Sequence, residues 1–67
     1  NPSADGKFSI LSDDTYTLTI YDFSGRKLEV RQVPEGNYYL DLSKYAKGIY
    51  LLQLENKTKK QERKIVF

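Results

Sequence analysis

The sequence predicts an all-β domain, a small β-sandwich of six to seven mostly antiparallel strands. Several short segments alternate apolar and polar side chains at a period of two residues, which indicates half-buried strands. Turn-forming residues separate these segments at regular spacing, as in small sandwiches. No window of helical length shows the 3.6-residue apolar period of an amphipathic helix. The aromatic residues, six Tyr and three Phe, also favour strands.

Six segments carry the alternation, and each is followed by a turn signal or the chain end. They are residues 7–11, 15–21, 27–33, 38–42, 49–54 and 61–67. In the clearest segment, residues 15–21 (TYTLTIY), threonine fills one face, which is typical of a half-buried strand. Residues 49–54 are apolar on both faces, which predicts a central strand. Two facing sheets, as in an immunoglobulin-like sandwich, bury the shared apolar faces.

The inward faces of these segments define the expected core. In the third segment, Leu28 and Val30 are assigned inward, with Glu29 and Arg31 outward. The predicted core comprises Phe8, Ile10, Leu18, Ile20, Leu28, Val30, Leu40, Leu42, Tyr50, Leu52 and Leu54.

Two turns carry specific backbone signals. Residues 22–26 (DFSGR) predict a type I turn with a glycine bulge, because Asp22 accepts backbone N–H bonds and Gly25 tolerates a positive φ. Residues 43–47 predict one helical turn with Ser43 as its N-cap. Gly48 is then expected to end that turn at positive φ.

Residue inventory argues against an enzyme and predicts no cofactor. The chain has no His and no Cys, which removes the usual general base near neutral pH, the commonest metal ligand and the thiolate nucleophile. Asp13 and Asp14 are adjacent on a turn, where two carboxylates rarely build a calcium site, so we predict no metal. The longest apolar run, residues 48–52, is too short to span a bilayer, so we expect no stable membrane insertion.

The charge distribution and the tyrosines allow binding roles. Residues 57–67 carry five basic side chains against Glu62, but no aromatic platform is interleaved with them, so we expect a charged edge strand and no nucleic-acid partner. Tyr38, Tyr39 and Tyr45 could line a carbohydrate-binding or protein-binding surface. The alternative is that their rings lie buried at a sheet rim with the hydroxyls in water.

Four motifs, in order, resemble the type A C-terminal sorting domain of the type IX, or Por, secretion system. Residues 1–10 (NPSADGKFSI) resemble the opening of that family, and residues 20–28 (IYDFSGRKL) its apolar-Tyr-Asp-x-x-Gly-basic motif. Residues 40–52 (LDLSKYAKGIYLL) resemble its later Leu-Ser and Gly-apolar-Tyr motif, and residues 64–66 (KIV) its closing motif. The resemblance covers essentially all of residues 1–67, read as one domain from a longer exported protein.

The resemblance implies a signal domain at the end of a secreted passenger protein. Such domains are recognised by the type IX translocon after export to the periplasm and direct the passenger across the outer membrane, to the cell surface or the extracellular space. An outer-membrane sortase then usually removes the domain, which performs no catalysis itself. The alternative function is a carbohydrate-binding or adhesive β-sandwich module of a surface protein. The candidate recognition residues are Tyr21, Asp22, Gly25, Gly48, Tyr50, Lys64, Ile65 and Val66.

Overall fold

A computed structural model describes residues 5–67, so the first four residues of the opening motif, 1–4, lie outside the described chain. Six strands form, each in a segment where the sequence predicts one. They are β1 (Lys7–Ser12), β2 (Tyr16–Asp22), β3 (Lys27–Val33), β4 (Gly36–Asp41), β5 (Ile49–Glu55) and β6 (Lys60–Val66). All strand pairings in the described chain are antiparallel, which confirms the predicted all-β sandwich.

The strands form two sheets of unequal size. One sheet has two strands in the order β1-β4, and the other has four in the order β3-β2-β5-β6. The prediction that residues 49–54 form a central strand is confirmed, because β5 pairs with β2 on one side and β6 on the other. The last strand, β6, is an edge of the larger sheet.

Apolar side chains from both sheets form one core. Ten of the predicted core residues are buried or pack against the core, with Phe8 and Leu28 only half-buried. The buried hydrophobic residues are Ile10, Tyr16, Leu18, Ile20, Val33, Leu40, Leu42, Tyr50, Leu52, Leu54 and Ile65. Burying a side chain such as Leu18 contributes roughly 1.5–3 kcal/mol relative to leaving it in water.

The predicted facing of β3 is correct for Leu28 but wrong from Glu29 onward, and a β-bulge explains why. Ile20 lies opposite Glu29 and Tyr21 opposite Lys27, so Leu28 is an extra residue in the ladder. Beyond the bulge, Glu29 is half-buried while Val30, predicted in the core, is 53% exposed. A one-residue insertion reverses the facing of everything that follows it, because side chains alternate between the two faces at every residue.

The segment between β4 and β5 also differs from the prediction. Its backbone makes a single β-turn, in which the Tyr45 N–H donates to the Leu42 carbonyl at 2.9 Å, and not a helical turn. Ser43 is no N-cap, because no helical turn follows it, and its N–H donates to the Asp41 carboxylate at 2.9 Å. Gly48 is not among the glycines with positive φ, which contradicts the prediction for it. Its N–H and carbonyl pair with Phe67, so it extends the β5–β6 ladder.

Candidate recognition face

The outer face of the four-stranded sheet has an apolar end. Tyr21 of β2 lies opposite Leu51 of β5, and Ile49 lies opposite Val66 of β6. Tyr21, Ile49 and Leu51 are half-buried, and Val66 is 40% exposed. The other end of this face is polar, because threonine alternates along β2. We call the apolar end, together with the hairpin turn beside it, the recognition face.

A shallow depression of about 420 Å³ lies in this face. Phe23 borders it and is 80% exposed, a large apolar side chain with little packing of its own. Of the sequence-predicted site residues, five line the depression, namely Tyr21, Asp22, Gly25, Tyr50 and Lys64. Residues from three strands that are distant in sequence thus meet on one surface. Exposed apolar patches of this kind mark interaction surfaces more often than random surface does.

Asp22 organises the hairpin turn beside the depression. Its Oδ1 accepts bonds from the Ser24 N–H at 3.0 Å, the Ser24 hydroxyl at 2.7 Å and the Arg26 N–H at 2.9 Å. The Ser24 hydroxyl, followed by the Arg26 backbone N–H, lowers the pKa of Asp22 below its ordinary value. The predicted type I turn with a glycine bulge is confirmed, because the Gly25 N–H donates to the Asp22 carbonyl at 3.0 Å and Gly25 has a φ of 90°. Asp22 and Gly25 therefore shape the backbone under the exposed Phe23.

Gly25→Val is expected to lower the free energy of unfolding by about 1–3 kcal/mol, because a β-branched residue rarely adopts positive φ. A Cβ at Gly25 meets nothing within 4 Å, so the cost comes from the backbone alone. Gly48→Val is the matched control, since Gly48 also has open space around it but no positive φ. Urea denaturation measures both variants. An unchanged midpoint for Gly25→Val contradicts the prediction.

Tyr50 belongs to the core as much as to the depression. Its ring stacks on Phe67 with centroids 5.4 Å apart and lies 6.0 Å from the ring of Tyr45. Its hydroxyl donates to the Ala46 carbonyl. Tyr50 is 7% exposed, so most of its surface holds the two sheets and the β4–β5 connection together.

The three candidate residues that do not line the depression are Ile65 and Val66, on opposite faces of β6, and Gly48, at the end of the β5–β6 ladder. Ile65 is buried at 4% exposure and points into the core, whereas Lys64 and Val66 are on the outer face. Gly48 pairs with Phe67 at the end of the ladder, outside the depression. The residues that sequence reasoning missed are Phe23, Ile49 and Leu51. In the sequence, the second apolar face of β5 indicates Ile49 and Leu51, and an aromatic residue within a tight turn indicates Phe23.

A second cluster of polar side chains connects β3 to β4 and to the turn after it. We call it the polar bridge, and its members are Glu29, Arg31, Tyr38, Lys44 and Tyr45. Glu29 accepts bonds from the Tyr45 hydroxyl, from Lys44 at 3.0 Å and from Arg31 at 2.7 Å. Chiefly the Tyr45 hydroxyl, with Lys44 and Arg31, lowers the pKa of Glu29 to about 2.

The three tyrosines of the predicted binding surface, Tyr38, Tyr39 and Tyr45, do not form a common surface. Tyr38 accepts a bond from Arg31 at 3.4 Å, and Tyr45 donates to Glu29, so both are engaged in the polar bridge. Tyr39 is 78% exposed and pairs with Ser9 on the smaller sheet. Nothing in this arrangement supports the carbohydrate-binding alternative.

Two other kinds of site are absent from residues 5–67. Within them, no three acidic side chains come together in a way that could hold a metal ion. The same residues contain no helix long and apolar enough to cross a membrane.

The chain was compared with protein families, curated proteins and solved structures. The family model for the secretion system C-terminal sorting domain matches residues 1–67. Neither the curated proteins nor the solved structures gave a match. The family match covers every strand of the fold and all eight candidate recognition residues.

Proposed function

The chain belongs to the family of secretion system C-terminal sorting domains, and we propose that its recognition face is the surface by which the secretion machinery identifies it. The domain is a C-terminal sorting signal for type IX secretion, which implies an N-terminal passenger and export towards the cell surface or the extracellular space. The family is one of sorting signals and not of enzymes.

The proposed route is the one the family implies. A precursor with residues 1–67 as its last domain reaches the periplasm, where the translocon binds the domain and moves the passenger across the outer membrane. A sortase at the outer membrane then removes the domain. The observation that supports this proposal is the family match over the whole chain, which includes all six strands of the sandwich.

The candidate residues divide into two proposed roles. Tyr21, Lys64 and Val66 present side chains on the outer sheet face, and we assign them to contact with the machinery. Fold maintenance is assigned to Asp22, Gly25, Gly48, Tyr50 and Ile65, which hold turns, ladder ends or the core. Phe23 joins the contact group because it is large, apolar and exposed.

A reporter fusion tests the proposed function. A periplasmic reporter carrying residues 1–67 at its C-terminus is expected to appear on the cell surface or in the medium of a host with the type IX system. The mass of the exported reporter then shows whether the sandwich has been removed, as the sortase step requires. The matched control carries residues 1–67 at the N-terminus of the same reporter and is expected to remain in the periplasm. Retention of both fusions in the periplasm contradicts the proposal.

A further inference from the structure

The two lateral sides of the sandwich are closed in different ways. On one side, the polar bridge ties the edge strand β3 to β4, with the Arg31 guanidinium 3.4 Å from the Tyr38 hydroxyl. On the other side, the edges of β1 and β6 face each other across a groove of about 310 Å³. Phe8 and Ile10 line it from β1, and Arg63 and Ile65 line it from β6. Within the described chain, β1 and β6 do not pair with each other across this groove.

The backbone of β6 has hydrogen-bonding groups directed to this open side. Gly48 and Phe67 exchange two N–H···O bonds, at 3.0 and 3.1 Å, so they form a hydrogen-bonded pair. In an antiparallel ladder such pairs alternate with non-hydrogen-bonded ones, and the β5–β6 register is unbroken. Lys64 and Val66 are therefore non-hydrogen-bonded positions, and their N–H and C=O groups point away from β5. Within the described chain, no strand pairs with that edge.

Along this edge of β6, two basic side chains are followed by two apolar ones. Arg63 and Lys64 are exposed, adjacent and on opposite faces, and neither makes an ion pair in the described chain. Ile65 and Val66 follow them, with Ile65 towards the core and Val66 on the recognition face. Each face of β6 thus presents one basic residue beside one apolar residue. A strand placed alongside would meet the two charges first and the two apolar side chains next, or the reverse.

We propose that β6 binds an extended segment of a protein partner as an added strand, and that this segment carries two apolar residues next to two acidic residues. The apolar pair lies opposite Ile65 and Val66, and the acidic pair lies opposite Arg63 and Lys64. Main-chain bonds to the Lys64 and Val66 edge supply affinity, and the side-chain order supplies specificity. The inference rests on the proposed function in one respect, since the partner is expected to be a component of the export machinery.

Charge argues against a second copy of this chain as the occupant. Strand β6 carries Lys60, Arg63 and Lys64 against Glu62, so two copies of β6 side by side have the same positive net charge and repel each other. An acidic segment removes this repulsion. It also supplies partners for the two cations that have none in the described chain.

Hydrogen exchange followed by NMR tests the proposal on the isolated chain. The probe is a short synthetic peptide with Val-Val-Glu-Glu at its centre and Thr on both sides, which in antiparallel orientation matches Val66 to Arg63. Binding is expected to slow exchange of the Lys64 and Val66 amides by about tenfold or more. The amides of β3, on the closed side, serve as the internal reference. A peptide with the same side chains but N-methylated at its centre is expected to give no protection.

Three other results would overturn the proposal. Absence of protection at Lys64 and Val66 excludes strand addition by such a segment. Equal protection by a Val-Val-Lys-Lys peptide shows that the acidic residues do not select the partner. Protection without peptide that rises with domain concentration assigns the edge to a second copy. None of these measurements uses secretion, so a fusion that is exported normally while the peptide fails to bind leaves the export role intact and removes only this inference.

Discussion

Deletion of Lys64 to Phe67 is expected to unfold the domain and to abolish secretion with it. The deletion removes Ile65, which is 4% exposed, and Phe67, whose ring stacks on Tyr50 and lies 6.1 Å from the ring of Phe8. Truncating a buried Ile alone costs about 2–5 kcal/mol, and the loss of the half-buried Phe67 ring adds to this. Whole domains are stable by only about 5–15 kcal/mol, and one of this size is at the lower end. The loss of both side chains is therefore expected to cost more than the free energy of unfolding of the domain.

Circular dichroism with thermal melting checks the folding half of this prediction, and the reporter fusion checks the secretion half. Both signals are expected to disappear together. A truncated domain that still melts cooperatively contradicts the prediction and shows that the first five strands fold without the end of β6.

The deletion cannot distinguish direct recognition of β6 from loss of the fold, but substitutions on its outer face can. The double variant Lys64→Thr with Val66→Thr removes the charged and apolar contacts while keeping residues that suit a strand. Its melting temperature is expected to change little, and its secretion is expected to fall by about tenfold or more if the machinery reads this face. Lys60→Thr is the matched control, because Lys60 lies on the same strand at the far end, opposite Glu55. Normal secretion of the double variant would remove β6 side chains from the recognition role.

The alternation of apolar and polar residues predicts the strands well because a strand of this sandwich has one face towards solvent and one towards the core. In β2, alternation of Thr with Tyr16, Leu18 and Ile20 leaves a single reasonable orientation, and all three apolar side chains are buried. The doubly apolar β5 is central in the larger sheet, between β2 and β6, and its outer side chains Ile49 and Leu51 are half-buried there, beside those neighbours. The Asp22–Gly25 turn was predictable because its chemistry lies within four residues.

The errors arise where tertiary contacts overrule the local pattern. In β3, the bulge at Leu28 turns Glu29 and Arg31 inward, where the hydroxyls of Tyr45 and Tyr38 satisfy them. Tyr38 and Tyr45 are at least seven residues away in sequence from their partners, so the alternation of apolar and polar residues within β3 cannot reveal these contacts. At Gly48, a turn signal is locally plausible, but pairing with Phe67 in the ladder requires extended backbone.

The recognition face was predictable in its parts and not in its assembly. The motifs around Tyr21, Tyr50 and Lys64 were visible in the sequence, yet nothing local shows that they share a surface. That depends on the strand order β3-β2-β5-β6, which places Tyr21 beside Leu51 and Leu51 beside Lys64. The solvent exposure of the Phe23 side chain could not be predicted for a related reason, because it depends on which elements pack around the turn.

Glu29→Gln is expected to lower the free energy of unfolding by about 2–3 kcal/mol at neutral pH, the scale of a pKa depressed by two units or more. The bonds from Tyr45, Lys44 and Arg31 lower the pKa of Glu29 from 4.5 to about 2 in the folded state, and its side chain is only 17% exposed. Because the folded-state pKa lies below the unfolded one, this contribution is complete above about pH 4.5 and is lost as the pH falls through about 2.

Urea denaturation of the original chain and the variant, at neutral pH and at successively lower pH, measures this contribution. The difference in stability between the two proteins is expected to shrink below about pH 4.5, because protonated Glu29 resembles Gln in charge. Glu35→Gln is the control, since Glu35 is exposed and belongs to no ion pair among residues 5–67. A difference that is the same at every pH would show that Glu29 acts by packing alone. Equal stability of both proteins at neutral pH would show that the polar bridge closes this side of the sandwich without stabilising it.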